Sequence, residues 1–150
     1  MTALSLPTRL LRPLLSLAML LASASLHADS VISTSLTGLF EVPSVNTMAT
    51  GLVNIDIEPD RSISGSIDVS GMEPTMAHIH EAAAGVNGPI VITLIKTGDK
   101  VFTVPANAKL TKAQYARYLV GNLYVNVHSQ AYPKGEIRAQ LPGKPMRIAN

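Results

Sequence analysis

The chain has 150 residues, no cysteine and a formal net charge of +2, and its length fits one ordinary domain. The absence of cysteine excludes disulfides, thiolate chemistry, zinc-finger sites and cysteine-ligated blue copper. About 120 residues are nevertheless enough to bury a stable core without a disulfide.

The first 28 residues carry the pattern of a secretory signal peptide. Two arginines precede an apolar run at residues 14–22, and small residues follow at Ala24 and Ala28. A membrane span needs about 20 apolar residues, which is more than this run provides. We therefore expect cleavage after Ala28, with Ala24 as the alternative site, and a periplasmic or secreted mature chain without a membrane span. A retained membrane anchor is the alternative.

The predicted signal peptide also carries the charge surplus of the chain. It contains two of the 12 basic residues and none of the 10 acidic ones, so the predicted mature chain has a net charge of zero. Nucleic-acid-binding proteins need a basic surplus to hold the phosphate backbone. We therefore do not expect nucleic acid as a partner.

The rest of the chain is predicted to form short strands separated by turns. Apolar and polar residues alternate in several segments, which is typical of half-buried strands. The near-continuous apolar run at 90–95 instead indicates a strand buried on both faces. The predicted strands are 30–42, 50–58, 62–70, 77–81, 90–95, 101–104, 123–128 and 136–141.

One helix is predicted, at residues 111–120. Thr111 and Gln114 match a capping box, and Gly121 follows the helix where a C-terminal cap is expected. Many short strands with one short helix near the C-terminal third indicate an all-β fold, an antiparallel sandwich or barrel. We assign this domain to residues 29–142 and expect residues 143–150 to form a flexible tail.

Three histidines are candidates for chemistry. His78 and His80 occupy alternate positions of a predicted strand, so both imidazoles point to the face opposite Ile79. His128 ends the strand 123–128 and lies opposite that strand's apolar face. If the two strands are neighbours in one sheet, the three imidazoles converge on the outer surface of that sheet.

Such a cluster would suit a metal ion. Three neutral imidazoles are a common metal shell with one open position, and imidazole binds zinc, copper, iron and nickel. Met72 and Met76 lie just upstream, and a thioether would favour Cu(I), although such methionines are more often loop or core residues. Because the motif contains no thiolate and no carboxylate, copper is favoured over zinc. Surface or hydrogen-bonded structural histidines are the alternative.

Four charged residues are further candidates: Glu41, Glu81, Glu136 and Arg138. Glu136 and Arg138 share the polar face of the last predicted strand. They could form an ion pair or hydrogen bonds to an imidazole, and a solvated surface pair is the alternative. The sequence contains none of the motifs typical of serine nucleophiles, nucleotide sites or helical zinc sites.

Several motifs, taken in order, resemble the CHRD domain family, which was first described in chordin and is widespread in bacterial exported proteins. The resemblance covers about residues 31–141, with mild departures at Ser129 and Ala139. It implies a β-sandwich and export, and it supplies no biochemical activity. The matching motifs are LTGLFEVP at 36–43, TG at 50–51, AHIHEAAAGVNGPIV at 77–91, LTKAQ at 110–114, LYVNVH at 123–128, YPKGEIR at 132–138 and QL at 140–141.

The histidine pattern by itself is similar to the copper site of Cu/Zn superoxide dismutase. The predicted mature chain departs from that enzyme because it has no fourth histidine to bridge copper to zinc, no zinc-binding loop and no disulfide. The likeness therefore implies a copper-only site in an immunoglobulin-like or superoxide-dismutase-like fold. Arg138 would then be a candidate anion guide, and the enzyme, if there is one, a copper-dependent oxidoreductase of superoxide dismutase type.

Two hypotheses follow from the sequence. The first is a metal-binding protein that holds copper at His78, His80 and His128 for storage, transfer or redox chemistry. The second is a non-catalytic adhesion or scaffold module that binds protein or polysaccharide. Copper loading distinguishes them, because only the first requires about one equivalent of copper held by imidazole.

Overall fold

The computed structural model describes residues 31–144, and within this range it contains nine strands, one 3-10 turn and one α-helix. The predicted signal peptide and residues 145–150 of the predicted tail lie outside the described residues. The elements are β1 (Ile32–Thr37), the 3-10 turn (Gly38–Phe40), β2 (Thr50–Ile57), β3 (Ile63–Ser70), β4 (Pro74–Glu81), β5 (Ile90–Thr93), β6 (Ile95–Gly98), β7 (Val101–Thr103), α1 (Lys112–Leu119), β8 (Leu123–Ser129) and β9 (Ile137–Leu141).

All nine strands belong to one antiparallel sheet, in the order β5-β4-β8-β9-β1-β2-β3-β7-β6. The two edge strands, β5 and β6, are consecutive in the chain and are separated only by Leu94. The Leu94 N–H donates to the carbonyl of Ala77 in β4 at 3.0 Å. The segment therefore passes from one edge of the sheet to the other and nearly closes it into a barrel. The predicted all-β antiparallel class is confirmed, in its barrel form.

Alternating side chains fill the barrel interior. The sequence pattern of each strand supplies every second residue to this core, and Leu36, Val53, Ile79, Val125 and Ile137 are each 0 % exposed. Full burial of one such aliphatic side chain stabilises a fold by about 1.5–3 kcal/mol. The period-2 pattern therefore accounts for which face of each strand lies inside.

The helix has the ends that the sequence predicts. The Gln114 N–H donates to the Thr111 hydroxyl at 3.2 Å, and the Thr111 N–H donates to the Gln114 side-chain carbonyl at 2.8 Å. At the other end, Gly121 adopts a φ of +76°. The amides of Gly121 and Asn122 donate back to the last turn at 2.8 and 2.9 Å. The helix buries Tyr118 against the core.

The apolar run at 90–95 is not a strand buried on both faces, so that prediction is wrong. The run is divided between β5 and β6 at Leu94, and Ile90 and Ile95 are 54 % and 51 % exposed. Leu94 itself is 5 % exposed. Along this run Leu94 packs into the core while Ile90 and Ile95 point outward.

The strand that is buried on both faces is β8, in which all seven residues are buried. Its inner face packs in the barrel core. Its outer face is covered by the loops at 82–89 and 130–136, which donate and accept hydrogen bonds with outer side chains of β4, β8 and β9. Within residues 31–144 no helix is long and apolar enough to cross a membrane.

Candidate metal centre

The three histidines meet on the outer face of two adjacent strands. Strands β4 and β8 pair side by side, and Ile79 between the first two histidines is 0 % exposed in the core. Alternation therefore turns His78 and His80 outward, and the same alternation on β8 turns His128 outward. One nitrogen from each of these three side chains lies within 4.8 Å of the others. The predicted convergence is confirmed.

The spacing is close to that of a shared ion. His78 Nδ1 lies 2.9 Å from His128 Nε2, and the ring centroids of His78 and His80 are 5.5 Å apart. Two imidazole nitrogens on one ion, each bonded at about 2.0–2.1 Å, can be separated by at most about 4 Å. In a tetrahedral site the nitrogens lie about 3.3 Å apart, so nitrogens separated by the 4.8 Å limit of the group would have to approach by roughly 1.5 Å.

The imidazoles are covered, whereas the sequence predicted an outer surface. His78, His80 and His128 are 7 %, 9 % and 7 % exposed, because the flanking loops lie over the outer face of the sheet. Burial lowers the pKa of all three side chains. For His78, burial followed by the nearby charges of His128 and His80 lowers the pKa to about 4. At neutral pH the imidazoles are therefore uncharged and retain lone pairs.

Backbone carbonyls contact His80 and His128, and one of them fixes which nitrogen of His80 carries the hydrogen. His80 Nδ1 lies 2.9 Å from the Gly88 carbonyl, and His128 Nδ1 lies 3.1 Å from the Pro133 carbonyl. A carbonyl can only accept, so His80 Nδ1–H donates and His80 Nε2 holds a lone pair. Both ring nitrogens of His128 face acceptor oxygens, because Nε2 lies 3.1 Å from Asn126 Oδ1, so these contacts do not select the tautomer of His128. Among the described residues, His80 Nε2 is buried without a hydrogen-bond partner. Ligating histidines are oriented in this way by an outer hydrogen bond.

Tyr124 and Gly88 support His80, and no sequence motif had indicated a role for either residue. The Tyr124 ring stacks on the His80 ring, with centroids 4.8 Å apart and planes at 7°. The Gly88 N–H donates to the Tyr124 hydroxyl at 3.1 Å. A Cβ at position 88 would lie 1.9 Å from the Glu81 carbonyl oxygen, so only glycine fits. The available clue was that Tyr124 shares the polar face of its strand with His128.

Arg138 is buried beside this cluster and holds the loop above it. It is 1 % exposed, and its Cζ lies 3.4 Å from the centre of the Tyr124 ring. Its guanidinium donates to the Val86 carbonyl at 2.8 Å and to the Asn87 side chain at 3.2 Å. Burial lowers the pKa of Arg138, while Tyr124 and Glu41 act in the opposite direction. The solvated surface position considered for Arg138 is therefore wrong.

Glu136 contacts neither an imidazole nor Arg138 among the hydrogen bonds and ion pairs of the described residues. It is 5 % exposed and accepts hydrogen bonds from the hydroxyls of Ser129 and Thr47, the latter at 2.7 Å. This carboxylate ties the end of β8 to the loop before β2. The contact with Arg138 or an imidazole that the sequence allowed is therefore not formed, and the solvated surface position is wrong.

The other two acidic candidates lie outside the three-histidine group. Glu41 is 7 % exposed. Burial raises the pKa of its carboxyl, whereas Arg138 and a hydrogen bond from Asn126 lower it. Asn126 in turn places its side-chain oxygen 3.1 Å from His128 Nε2. Glu81 pairs with Arg117 of the helix at 3.3 Å. Glu41 therefore belongs to the surroundings of the cluster.

The two upstream methionines have different environments. Met72 is 7 % exposed and belongs to the hydrophobic core, as the more ordinary interpretation predicts. Met76 is 46 % exposed and lies directly opposite His128 in the pairing of β4 with β8. Only Met76 shares the face of the histidines.

Comparison with known proteins identifies one family. The CHRD domain family matches residues 32–141, which contain all the strands and the helix that the structure describes, together with the three histidines. No curated protein sequence and no solved structure matches the chain significantly. Since the match covers most of the chain, the protein belongs to the CHRD domain family.

Proposed function

We propose that this protein is an exported copper-binding CHRD domain in which His78, His80 and His128 hold one ion. The observation that carries the proposal is the buried His80 Nε2, which has no hydrogen-bond partner among the described residues. A buried acceptor without a partner costs about 1–3 kcal/mol. A metal ion between the three imidazoles would satisfy that lone pair together with the other two.

The donor set favours copper. The group consists of three imidazoles, and the chain has no cysteine to supply a thiolate. Imidazole donors suit copper, zinc, iron and nickel, and among divalent ions Cu²⁺ binds most tightly to a given nitrogen site. Three protein ligands also leave one coordination position open.

Binding, storage or transfer of copper is the role that we propose, and superoxide-dismutase-type oxidoreduction is the enzymatic alternative. In this proposal Arg138 is a positioning residue, because its guanidinium donates to oxygen atoms of the 82–89 loop. A role as anion guide would require that loop to release the guanidinium. Superoxide turnover by the copper-loaded protein separates the two roles.

Export to the periplasm or the exterior is part of the proposal. It rests on the arginines, the short apolar run and the small residues of positions 1–28. The test is N-terminal sequencing of the exported protein, which should begin at Asp29. A mature protein that begins at Met1 would contradict this part.

The test of the metal site is a copper titration of the purified protein. We expect one equivalent of Cu²⁺ with nitrogen hyperfine structure in its electron paramagnetic resonance spectrum. His80→Asn keeps an N–H donor at the position of Nδ1 for the Gly88 carbonyl but lacks the imidazole, so it should lose stoichiometric binding. Gln130→Ala, at an exposed position of a covering loop, is the control and should bind normally. A wild-type protein that binds no stoichiometric copper would overturn the proposal in favour of a protein- or polysaccharide-binding scaffold.

A further inference from the structure

Met76 extends the row of histidines along β4. It precedes His78 by two residues, so the two side chains leave the strand on the same face. In the pairing of β4 with β8, Met76 lies directly opposite His128. Directly opposed side chains in an antiparallel pair have Cβ atoms about 4.5–5.5 Å apart. Met76 therefore borders the cluster on the side of His78 and His128.

Core packing does not account for this methionine. Met76 is 46 % exposed and is not part of the hydrophobic core, whereas its neighbour Ala77 is 0 % exposed inside the barrel. The other end of the cluster, at His80, is closed by Tyr124 and the Gly88 carbonyl. The exposed side chain of Met76 thus borders a cluster of imidazoles that are themselves buried.

We infer that Met76 is a fourth ligand of the proposed copper site and that its Sδ binds the ion in the Cu(I) state. This inference rests on the proposed function. Methionine has three rotatable side-chain bonds and a polarizable sulfur, so its Sδ can turn toward the neighbouring imidazoles. Thioether ligands select Cu(I), whereas imidazole alone also suits Cu(II), zinc and nickel. The fourth position of the three-histidine site is then filled by a residue of β4, the strand that also carries His78 and His80.

The test compares the two oxidation states of copper in the full-length protein. In Met76→Leu, the affinity for Cu(I) should fall at least about tenfold, since even outer-shell contacts of metal sites are worth 10–100-fold. The affinity for Cu(II) should change less than about threefold, because the three imidazoles remain. Cu(I) is measured by competition with bicinchoninate under ascorbate, and Cu(II) by fluorescence competition. Leucine is close to methionine in volume, which preserves folding.

Met48→Leu is the matched control, because Met48 is 90 % exposed and lies in the loop before β2. It should leave both affinities unchanged.

X-ray absorption provides a second measurement. The spectrum of the wild-type Cu(I) form should contain a sulfur scatterer that is absent from Met76→Leu. A Met76→Leu protein that binds Cu(I) as tightly as wild type overturns this inference and leaves the three-histidine site intact. Equal losses for both ions also overturn it. Failure of the wild type to bind either ion overturns the proposed function itself.

Discussion

The three histidines differ in what fixes their orientation. His80 donates from Nδ1 to the Gly88 carbonyl, so its Nε2 lone pair is set by the chain itself, and His128 is held between the Pro133 carbonyl and the Asn126 side-chain oxygen. His78 Nδ1 instead lies 2.9 Å from His128 Nε2, so one of these two nitrogens carries a hydrogen and the other accepts it. That hydrogen would have to leave this contact before both nitrogens could bind one ion, and His78 is held by no backbone carbonyl among the hydrogen bonds of the described residues. We expect His78 to be the most adjustable member of the cluster.

The buried histidines predict how the metal-free protein responds to acid. The pKa of His78 is lowered from 6.5 to about 4, and those of His80 and His128 are also lowered. In the interval between the folded and unfolded pKa values the unfolded chain binds more protons, so stability rises with pH there. The stability of the metal-free protein should be constant above about pH 6.5 and fall between about pH 6.5 and 4, by at most about 1.4 kcal/mol per pH unit for each histidine.

Urea unfolding in the presence of a chelator, at several pH values across this interval, measures the effect. Glu41 acts with the opposite sign, because its pKa is raised from 4.5 and its neutral form is favoured in the folded state. The comparison is therefore made in a Glu41→Gln background. A free energy of unfolding that stays constant down to pH 4.5 in that background would contradict the assigned burial of the imidazoles.

At the residue scale, the sequence was sufficient to predict which way the histidine side chains point, but not that they are buried. Alternation along each strand correctly predicted that His78, His80 and His128 point away from the core, since strand parity is a local property. Their burial depends on loops that fold back over the sheet, and this is not encoded in strand parity. The same limit explains why Arg138 was assigned to a polar surface.

The loop at 82–89 is the element that completes the site. Arg138 binds its Val86 carbonyl, Gln140 binds its Ala82 carbonyl at 2.9 Å, and Tyr124 accepts from Gly88. The polar outer face of β8 and β9 thus provides the partners that a loop without regular structure needs for its backbone groups. Within this loop, the Gly88 carbonyl accepts from His80 Nδ1 and so fixes the tautomer of His80. The sequence alone indicated a loop at 82–89, but it did not show that this loop is hydrogen-bonded to the outer face of the sheet.

Gly88→Ala should disrupt this loop. The added Cβ would lie 1.9 Å from a backbone oxygen of Glu81, so the loop must shift and its carbonyl must leave His80. We expect a loss of more than about 2 kcal/mol in the free energy of unfolding and at least about tenfold weaker copper binding. Chemical denaturation and copper titration measure the two effects.

Gly85→Ala is the matched control within the same loop. A Cβ at position 85 meets nothing within 4 Å, although φ there is +77°. Only the backbone strain of a left-handed alanine remains, which costs about 1 kcal/mol. If Gly88→Ala were no more damaging than Gly85→Ala, the close packing of the loop on β4 would be wrong.

At the scale of the whole molecule, the topology brings the site together. Strands β4 and β8 are separated in sequence by three strands and the helix, yet they are neighbours in the sheet. The predicted strands and helix were largely right, because alternation and capping are local patterns. The order of strands is set by long-range pairing, which a single sequence does not reveal. The adjacency of β4 and β8 was therefore an assumption until the fold was known.

Closure of the barrel is tested at the segment that joins its two edges. Leu94 is 5 % exposed and Ile95 is 51 % exposed, so neighbouring residues point to opposite sides of the barrel wall. Leu94→Ala should leave a cavity in the core and cost about 2–5 kcal/mol. The next residue, Ile95, has an isomeric side chain, and Ile95→Ala removes a similar number of atoms. It should cost less than about 1 kcal/mol, because much of the Ile95 side chain is exposed to water in the folded protein.

Urea unfolding of the two variants provides the comparison, and hydrogen exchange of the Leu94 amide provides a second measurement. That amide donates to Ala77 across the closing edge, so it should exchange slowly, as amides of core strands do. Equal destabilisation by the two substitutions, or rapid exchange of the Leu94 amide, would mean that this segment contacts only one edge of the sheet, as a hairpin would. The segment would then not connect the two edges of the barrel. β4 would then be an edge strand, and the histidine face would lie beside an unpaired sheet edge. Slow exchange with unequal destabilisation places β4, which carries His78 and His80, inside a continuous and rigid wall.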